Sequence, residues 1–181
     1  MFGWDWGPRI PDAGIFRQVS LMGVEEARIG GVYVTQKHEE GKVILHLDVE
    51  AESASGGRVE LPYTVTLTFP DGEERVYEGS PEEIQIKNPT LWWPNGYGSQ
   101  PLYGIKVELL GSQGEKDGQG NGTGTMGRVL DVWERRIGLR TMTIRREKDA
   151  YGESFAHEVN GVTIFGMGRR LLSRRLFLRC L

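Results

Sequence analysis

The sequence has one cysteine, three histidines and no long apolar run. Each shortage excludes something. A single thiol, Cys180, leaves no internal disulfide, which fits a reducing compartment. No stretch approaches the roughly 20 apolar residues that span a bilayer. The start of the chain has no basic-then-apolar leader pattern. A cytoplasmic location is therefore the expectation, with no membrane partner. His38, His46 and His157 do not stand at metal-ligand spacing from Cys180, from acidic residues or from one another, so no metal site is expected. A glycine-rich phosphate loop, a Gly-x-Ser-x-Gly elbow and a Cys–His arrangement are all missing, and no cofactor is expected. The net charge of −3 leaves no basic footprint for nucleic acid. Carboxylates are numerous but scattered, and no pair is set for general acid–base work.

Glycine, by contrast, is abundant: 26 of 181 residues, about twice the usual share, which implies many turns and short strands. The most unusual stretch is 88–103, which holds two of the five Trp, three of the eight Pro and two of the six Tyr. Pro89, Pro94 and Pro101 each remove a backbone donor and favour extended geometry in the residue before. Asn95-Gly96 is a turn dipeptide. The stretch reads as a long, stiff aromatic connection with strands on both sides.

Those strands are announced by period-2 alternation. Val43, Leu45, Leu47 and Val49 fall on one face, with Ile44, His46, Asp48 and Glu50 on the other. Tyr63, Val65, Leu67 and Phe69 alternate with Thr64, Thr66 and Thr68 in a run from Val59. Tyr103, Ile105, Val107 and Leu109 repeat the pattern. Further strands are expected over 29–36, 83–87, 129–139 and 141–145, the last two separated at Gly138. Asn160-Gly161 marks a hairpin turn between two short strands within 154–168. Residues 111–127 contain seven Gly and little that is apolar, as befits a long hairpin connection. Asn121-Gly122-Thr123 within them fits a glycosylation triplet. About seven strands between 27 and 146, with no convincing helix, predict an all-β, immunoglobulin-like antiparallel β-sandwich.

The two ends differ from this middle. Residues 1–22 begin with Phe2-Gly3-Trp4-Asp5-Trp6-Gly7-Pro8, an aromatic density that suggests a chain entered inside a domain, with Ile15, Val19 and Leu21 on its last strand. Trp4, Asp5 and Trp6 could form a sugar site, since indoles pack on the apolar faces of a sugar and a carboxylate accepts from its hydroxyls. Spacing alone favours the plainer reading, in which both Trp are core of a truncated domain and Asp5 begins a turn. Residues 169–181 carry five Arg and no acid. They read either as a basic amphipathic helix for a membrane surface or as a tail unrelated to the fold, such as a shifted reading frame would give.

Several motifs together resemble one family. Residues 2–19 look like the end of the sugar-binding jelly-roll domain in β-mannosidases of glycoside hydrolase family 2. Residues 88–103 are similar to that family's aromatic signature loop. Arg136-Ile137-Gly138-Leu139-Arg140 resembles its Gly-Phe-Arg strand, with Leu139 at the aromatic position. Residues 153–168 resemble the hairpin that leads into the catalytic barrel, after which Arg169-Arg170 departs from the pattern. The resemblance implies four regions: the end of a jelly roll over 1–22, the immunoglobulin-like sandwich over 23–146, the hairpin over 147–168 and a discordant tail over 169–181. It implies a retaining glycosidase whose two catalytic Glu residues belong to a (β/α)8 barrel outside this chain. No catalytic residue is expected here. Asp5, Trp4 and Trp6 would contact a terminal β-mannoside, while Trp92, Trp93, Asn95 and Arg140 would be structural or domain-contact residues. The partners implied are the jelly-roll domain and the barrel. The alternative is a stand-alone immunoglobulin-like module that binds carbohydrate.

Overall fold

The computed structural model describes residues 14–15, 17–111 and 127–166. Among them are eleven strands: β1 Ala27–Glu39, β2 Lys42–Ser53, β3 Arg58–Val59, β4 Tyr63–Thr68, β5 Glu74–Tyr77, β6 Glu83–Lys87, β7 Tyr103–Leu110, β8 Val129–Ile137, β9 Met142–Arg145, β10 Ala156–Val159 and β11 Val162–Ile164. One sheet is built on β2, with β1 on one side and both β6 and β3 on the other. The second runs β5-β4-β7-β8. Every pairing is antiparallel. The order β1-β2-β6 against β5-β4-β7-β8 is that of an immunoglobulin-like sandwich.

The core lies where the alternating patterns place it. Val43, Leu45 and Leu47 of β2 and Ile84 and Ile86 of β6 point inward from the first sheet. Val65 and Leu67 of β4 and Ile105, Val107 and Leu109 of β7 meet them from the second. Each such side chain contributes roughly 1.5–3 kcal/mol of burial, which makes these four strands the main source of stability. Tyr103 is also buried and packs edge-on against Phe69, with ring centroids 5.6 Å apart.

The sandwich is closed along β1 and β8, which pair with different sheets. At the bulge between Ile29 and Gly31, the Ile29 amide donates to Asp131 Oδ2 of β8 at 2.8 Å. A charged acceptor thus joins two strand edges that no ladder joins. The expected connection over 111–127 does link an antiparallel pair, since the Gly111 amide donates to the Arg128 carbonyl at 2.8 Å. Its interior, with Asn121, lies outside the described residues.

Three expectations change. The run read from Val59 to Phe69 is interrupted: Pro62 cannot donate to a ladder, so the two residues of β3 join the first sheet while β4 begins in the second. β5 is an edge strand with mostly exposed side chains, and so has no alternation to betray it. Residues 17–22 form no strand, and Ile15, Val19 and Leu21 stand exposed because no neighbouring strand pairs with them among the described residues.

Beyond the sandwich, β9, β10 and β11 form a separate three-stranded sheet in the order β11-β10-β9. Asn160 and Gly161 make its turn with φ of 51° and 78°, both in the left-handed region that such a two-residue hairpin requires.

Candidate functional site

The loop between β6 and β7 organises one end of the molecule. It starts at Asn88, whose φ of 49° ends β6 in the left-handed region. Extended geometry was expected there from Pro89, but an Asn side chain tolerates this conformation, and the Asn88 amide donates to the Gly41 carbonyl at 2.8 Å. The loop is then tied at successive points. The Thr90 amide donates to Tyr103 Oη at 2.9 Å. The Trp92 amide donates to the Leu139 carbonyl at 2.9 Å, and the Trp93 amide to the Ser99 carbonyl at 3.0 Å. Pro94 to Tyr97 closes a turn, with a 3.0 Å bond from the Tyr97 amide to the Pro94 carbonyl and Gly96 at φ 88°. Asn95 sits exposed at its tip.

Both tryptophans are partly buried, each laid against a glycine. A Cβ built on Gly138 would meet Trp92 Cγ at 2.7 Å, and one built on Gly98 would meet Trp93 Cδ1 at 2.9 Å. These glycines are required by close approach of an indole, not by backbone conformation. The Arg140 guanidinium stacks over Trp92, 4.6 Å from the ring centroid, which is worth about 0.5–1 kcal/mol at a partly exposed site. No ion pair joins Arg140 to a carboxylate among the described residues.

Three further residues fix this arrangement. Gln36 Oε1 accepts from the Arg140 amide at 3.2 Å, and Gln36 Nε2 donates to the Gly138 carbonyl at 3.2 Å. The same Oε1 lies 3.1 Å from His38 Nε2, which must therefore be the protonated, donating nitrogen. Burial lowers the His38 pKa below 6.5, keeping the ring neutral near pH 7. Asn160 joins the third sheet to the loop. Its Nδ2 donates to the Trp92 carbonyl at 3.0 Å and its Oδ1 accepts from the Thr141 amide at 3.0 Å. Tyr97 Oη accepts from the Phe165 amide at 3.2 Å. Leu139, at the position where the family pattern has an aromatic residue, is fully buried.

Chemically this is a rigid bracket. Trp92, Trp93 and Arg140 come together at the junction of sandwich and third sheet, with Asn95 set apart on the turn. Trp4, Asp5 and Trp6 lie outside the described residues. Gln36, Gly138, Asn160 and Tyr97 were not singled out from sequence; only Gly138 and Asn160 left a signal, as a strand break and a turn. Elsewhere the titratable groups are paired on strand surfaces: His46 Nδ1 with Glu83 at 3.2 Å, and Glu39 between Lys37 and Lys42, whose hydrogen bonds, that to Lys42 foremost, hold its carboxyl at about 2. Among the described residues no group of three or more His, Cys, Asp or Glu is arranged to hold a metal. A groove of about 1060 Å³ opens between β3 and β6, where neither strand pairs with Asp48, Val49 or Glu50.

Comparison with known proteins identifies the bracket's setting. The family model for glycosyl hydrolases family 2 matches residues 27–140. A β-mannosidase B of Aspergillus clavatus is 32% identical over 173 residues, covering 91% of this chain and 18% of the relative. One from Aspergillus fumigatus is 34% identical over 176 residues, with the same shares of 91% and 18%. The crystal structure of a β-D-mannosidase from Dictyoglomus thermophilum superposes with a TM-score of 0.67 at 30% identity, covering 92% of this chain and 20% of that one. A β-glucuronidase from Lactobacillus rhamnosus, at 22% identity and a TM-score of 0.53 over 77% of this chain and 19% of its own, shares the fold. The chain thus spans less than a fifth of the length of the curated relatives it matches.

Proposed function

Because the chain belongs to glycosyl hydrolases family 2, we propose that it is a non-catalytic part of a β-mannosidase-like hydrolase, its immunoglobulin-like sandwich holding a sugar-binding domain against a catalytic barrel. The parent enzyme removes terminal β-D-mannosyl residues with retention, using two carboxyl groups that lie on the barrel. In this reading the sandwich, residues 23–146, is a spacer, and the bracket of Trp92, Trp93 and Arg140 sets its geometry against a neighbour. Asp5 accepts hydrogen bonds from hydroxyls of the terminal sugar, with Trp4 and Trp6 beside it. The observation that carries the proposal is the extent of the match: 91% of this chain aligns with β-mannosidase B while covering only 18% of it.

The purified chain is expected to leave an aryl β-mannoside unhydrolysed. Turnover that survives further purification and is lost on replacing a carboxylate of this chain would overturn the proposal.

A further inference from the structure

The groove between β3 and β6 is a notch in the first sheet, and its walls are fixed. Leu47 and Ser53 of β2 direct their amides to this side, to the Glu82 carbonyl at 2.8 Å and the Gly57 carbonyl at 3.0 Å. By strand alternation the amides and carbonyls of Val49 and Ala51 point the same way. Ala51 is met by Val59 of β3, but Val49 is met by neither flanking strand. The two segments that would otherwise reach Val49 cross to the second sheet instead. Residues 60–62 lead from β3 into β4, and residues 80–82 lead from β5 into β6. They are tied together there. The Ser80 amide donates to the Tyr63 carbonyl and Ser80 Oγ accepts from the Tyr63 amide, both at 3.0 Å, while Tyr63 Oη donates to the Pro81 carbonyl at 3.2 Å. Pro62 and Pro81 have no amide to offer. The Val49 amide and carbonyl therefore face a gap that runs about 13 Å along β2, from Leu47 to Ala51.

Beside this gap, the outer face of the sheet carries one aromatic ring among polar groups. Directly opposed residues share a face, which sets Tyr33 beside Asp48, Gly31 beside Glu50, and Thr35, His46 and Glu83 in one row. Tyr33 is 66% exposed. A Cβ at Gly31 would stand 3.8 Å from Tyr33 Cε2, so glycine leaves that edge of the ring open. Arg58 lies 3.9 Å from Asp48 and 3.8 Å from Glu50, too far for hydrogen bonds, so the guanidinium and both carboxylates keep capacity for a ligand. Tyr33, Asp48, Val49 and Arg58 all line the groove.

We propose that this notch binds a short neutral oligosaccharide. The C–H face of a sugar ring lies on Tyr33. Its hydroxyls donate to the Val49 carbonyl and to Asp48, and accept from the Val49 amide and Arg58. An extended peptide fits less well, because strand addition needs a run of open ladder positions and only that of Val49 is open. An anion is repelled by Asp48, Glu60, Glu82 and Glu83, which stand against one Arg. A cationic group suits those carboxylates but leaves the Val49 amide and Arg58 without an acceptor. A hydroxyl both donates and accepts, so a sugar serves all four groups, and an apolar surface with a few placed polar groups is the usual make-up of a small-molecule site. The choice of β-linked mannose as the sugar rests on the proposed function; the site itself does not.

The test titrates the full isotope-labelled chain with β-1,4-linked mannotriose and, separately, with cellotriose, and follows amide shifts by NMR. With mannotriose, saturable shifts are expected at Val49 and at its neighbours in β1, β2 and residues 59–62 and 80–83, with a dissociation constant on the order of 1 mM. Tyr33→Ala should weaken binding about tenfold, and Tyr33→Phe, which keeps the ring, should stay within about twofold. Because Tyr33 is largely exposed, neither change should move the unfolding midpoint. No saturable shift with either sugar at about ten times that concentration would overturn the inference, including the case in which only trilysine moves these amides. Shifts centred on Trp92 and Trp93, or shifts lost in Asp5→Ala but kept in Tyr33→Ala, would also overturn it. Cellotriose that binds at the notch where mannotriose does not would uphold the site and count against the β-mannosidase reading alone.

Discussion

The contact between Gly138 and Trp92 offers the sharpest prediction about the fold. Gly138→Ala places a methyl 2.7–2.9 Å from three atoms of the Trp92 side chain, where carbon atoms prefer about 3.5–4.0 Å. The indole must move outward by roughly 1 Å. Overpacking of this kind costs about 1–3 kcal/mol. The shift also disturbs the stacking of Arg140 on Trp92 and bends the two hydrogen bonds that the Trp92 backbone makes with Leu139 and Asn160. A loss of about 2–4 kcal/mol is expected from urea unfolding followed by circular dichroism, which does not depend on Trp92 as a probe. The cause is tested by a cycle with Trp92→Ala. Gly138 has no positive φ, so alanine there is strained by contact with the Trp92 side chain and not by its backbone conformation. Trp92→Ala removes Cγ and Cδ1 but keeps the Cβ at 2.9 Å, so in that background the same change should cost at least about 1 kcal/mol less. An equal cost in both backgrounds would refute the reasoning.

Four other residues give independent tests. Asn160→Ala removes the bond to the Trp92 carbonyl and the acceptor for Thr141, and puts Ala at φ 51°. It should cost about 2–3 kcal/mol and raise amide exchange in β10 and β11 more than in β7. Asp131→Ala leaves the Ile29 amide at the bulge without its acceptor and should cost roughly 1–3 kcal/mol, whereas Asp131→Asn, which keeps an oxygen there, should cost less. Gly96→Ala meets no atom within 4 Å but must adopt φ 88°; about 1 kcal/mol is expected, all of it local to the turn. His38 makes stability fall with acidity: its folded pKa is below the unfolded 6.5, so full stability is present above about 6.5 and is lost as pH drops from there through the lowered folded value. Urea midpoints at pH 7.5 and 5.5 should differ less in His38→Gln than in the unsubstituted chain.

What could be read from sequence follows from how each element is buried. β2, β4 and β7 were legible because one face of each is packed and the other is wet, so the pattern repeats every second residue. β5 was not, since its exposed Glu74, Arg75 and Val76 answer to no core. The hairpin of β10 and β11 was visible through Asn160-Gly161, but the addition of β9 was not, because its pairing depends on contacts outside its own sequence. In the bracket, the loop announced itself by composition. Its fastening did not: Gln36 reaches residues 102 and 104 positions away, and a glutamine on the mixed face of a strand carries no local signal of that. Gly138 could be seen to break a strand, while the indole that requires it stands 46 positions earlier. The alternation of Ile15, Val19 and Leu21 shows the converse, a strand pattern without a partner strand among the described residues.

The claim that this chain is the spacer of a β-mannosidase-like enzyme, carrying a sugar contact but no catalytic group, is tested most directly by kcat/KM on an aryl β-mannoside for the Dictyoglomus thermophilum enzyme whose matching part has been replaced by this chain. Turnover within about tenfold of the parent is expected, falling roughly 100-fold in Asp5→Ala, as loss of a hydrogen bond to a charged group would give. A folded replacement enzyme without turnover, or with turnover indifferent to Asp5→Ala, would contradict it.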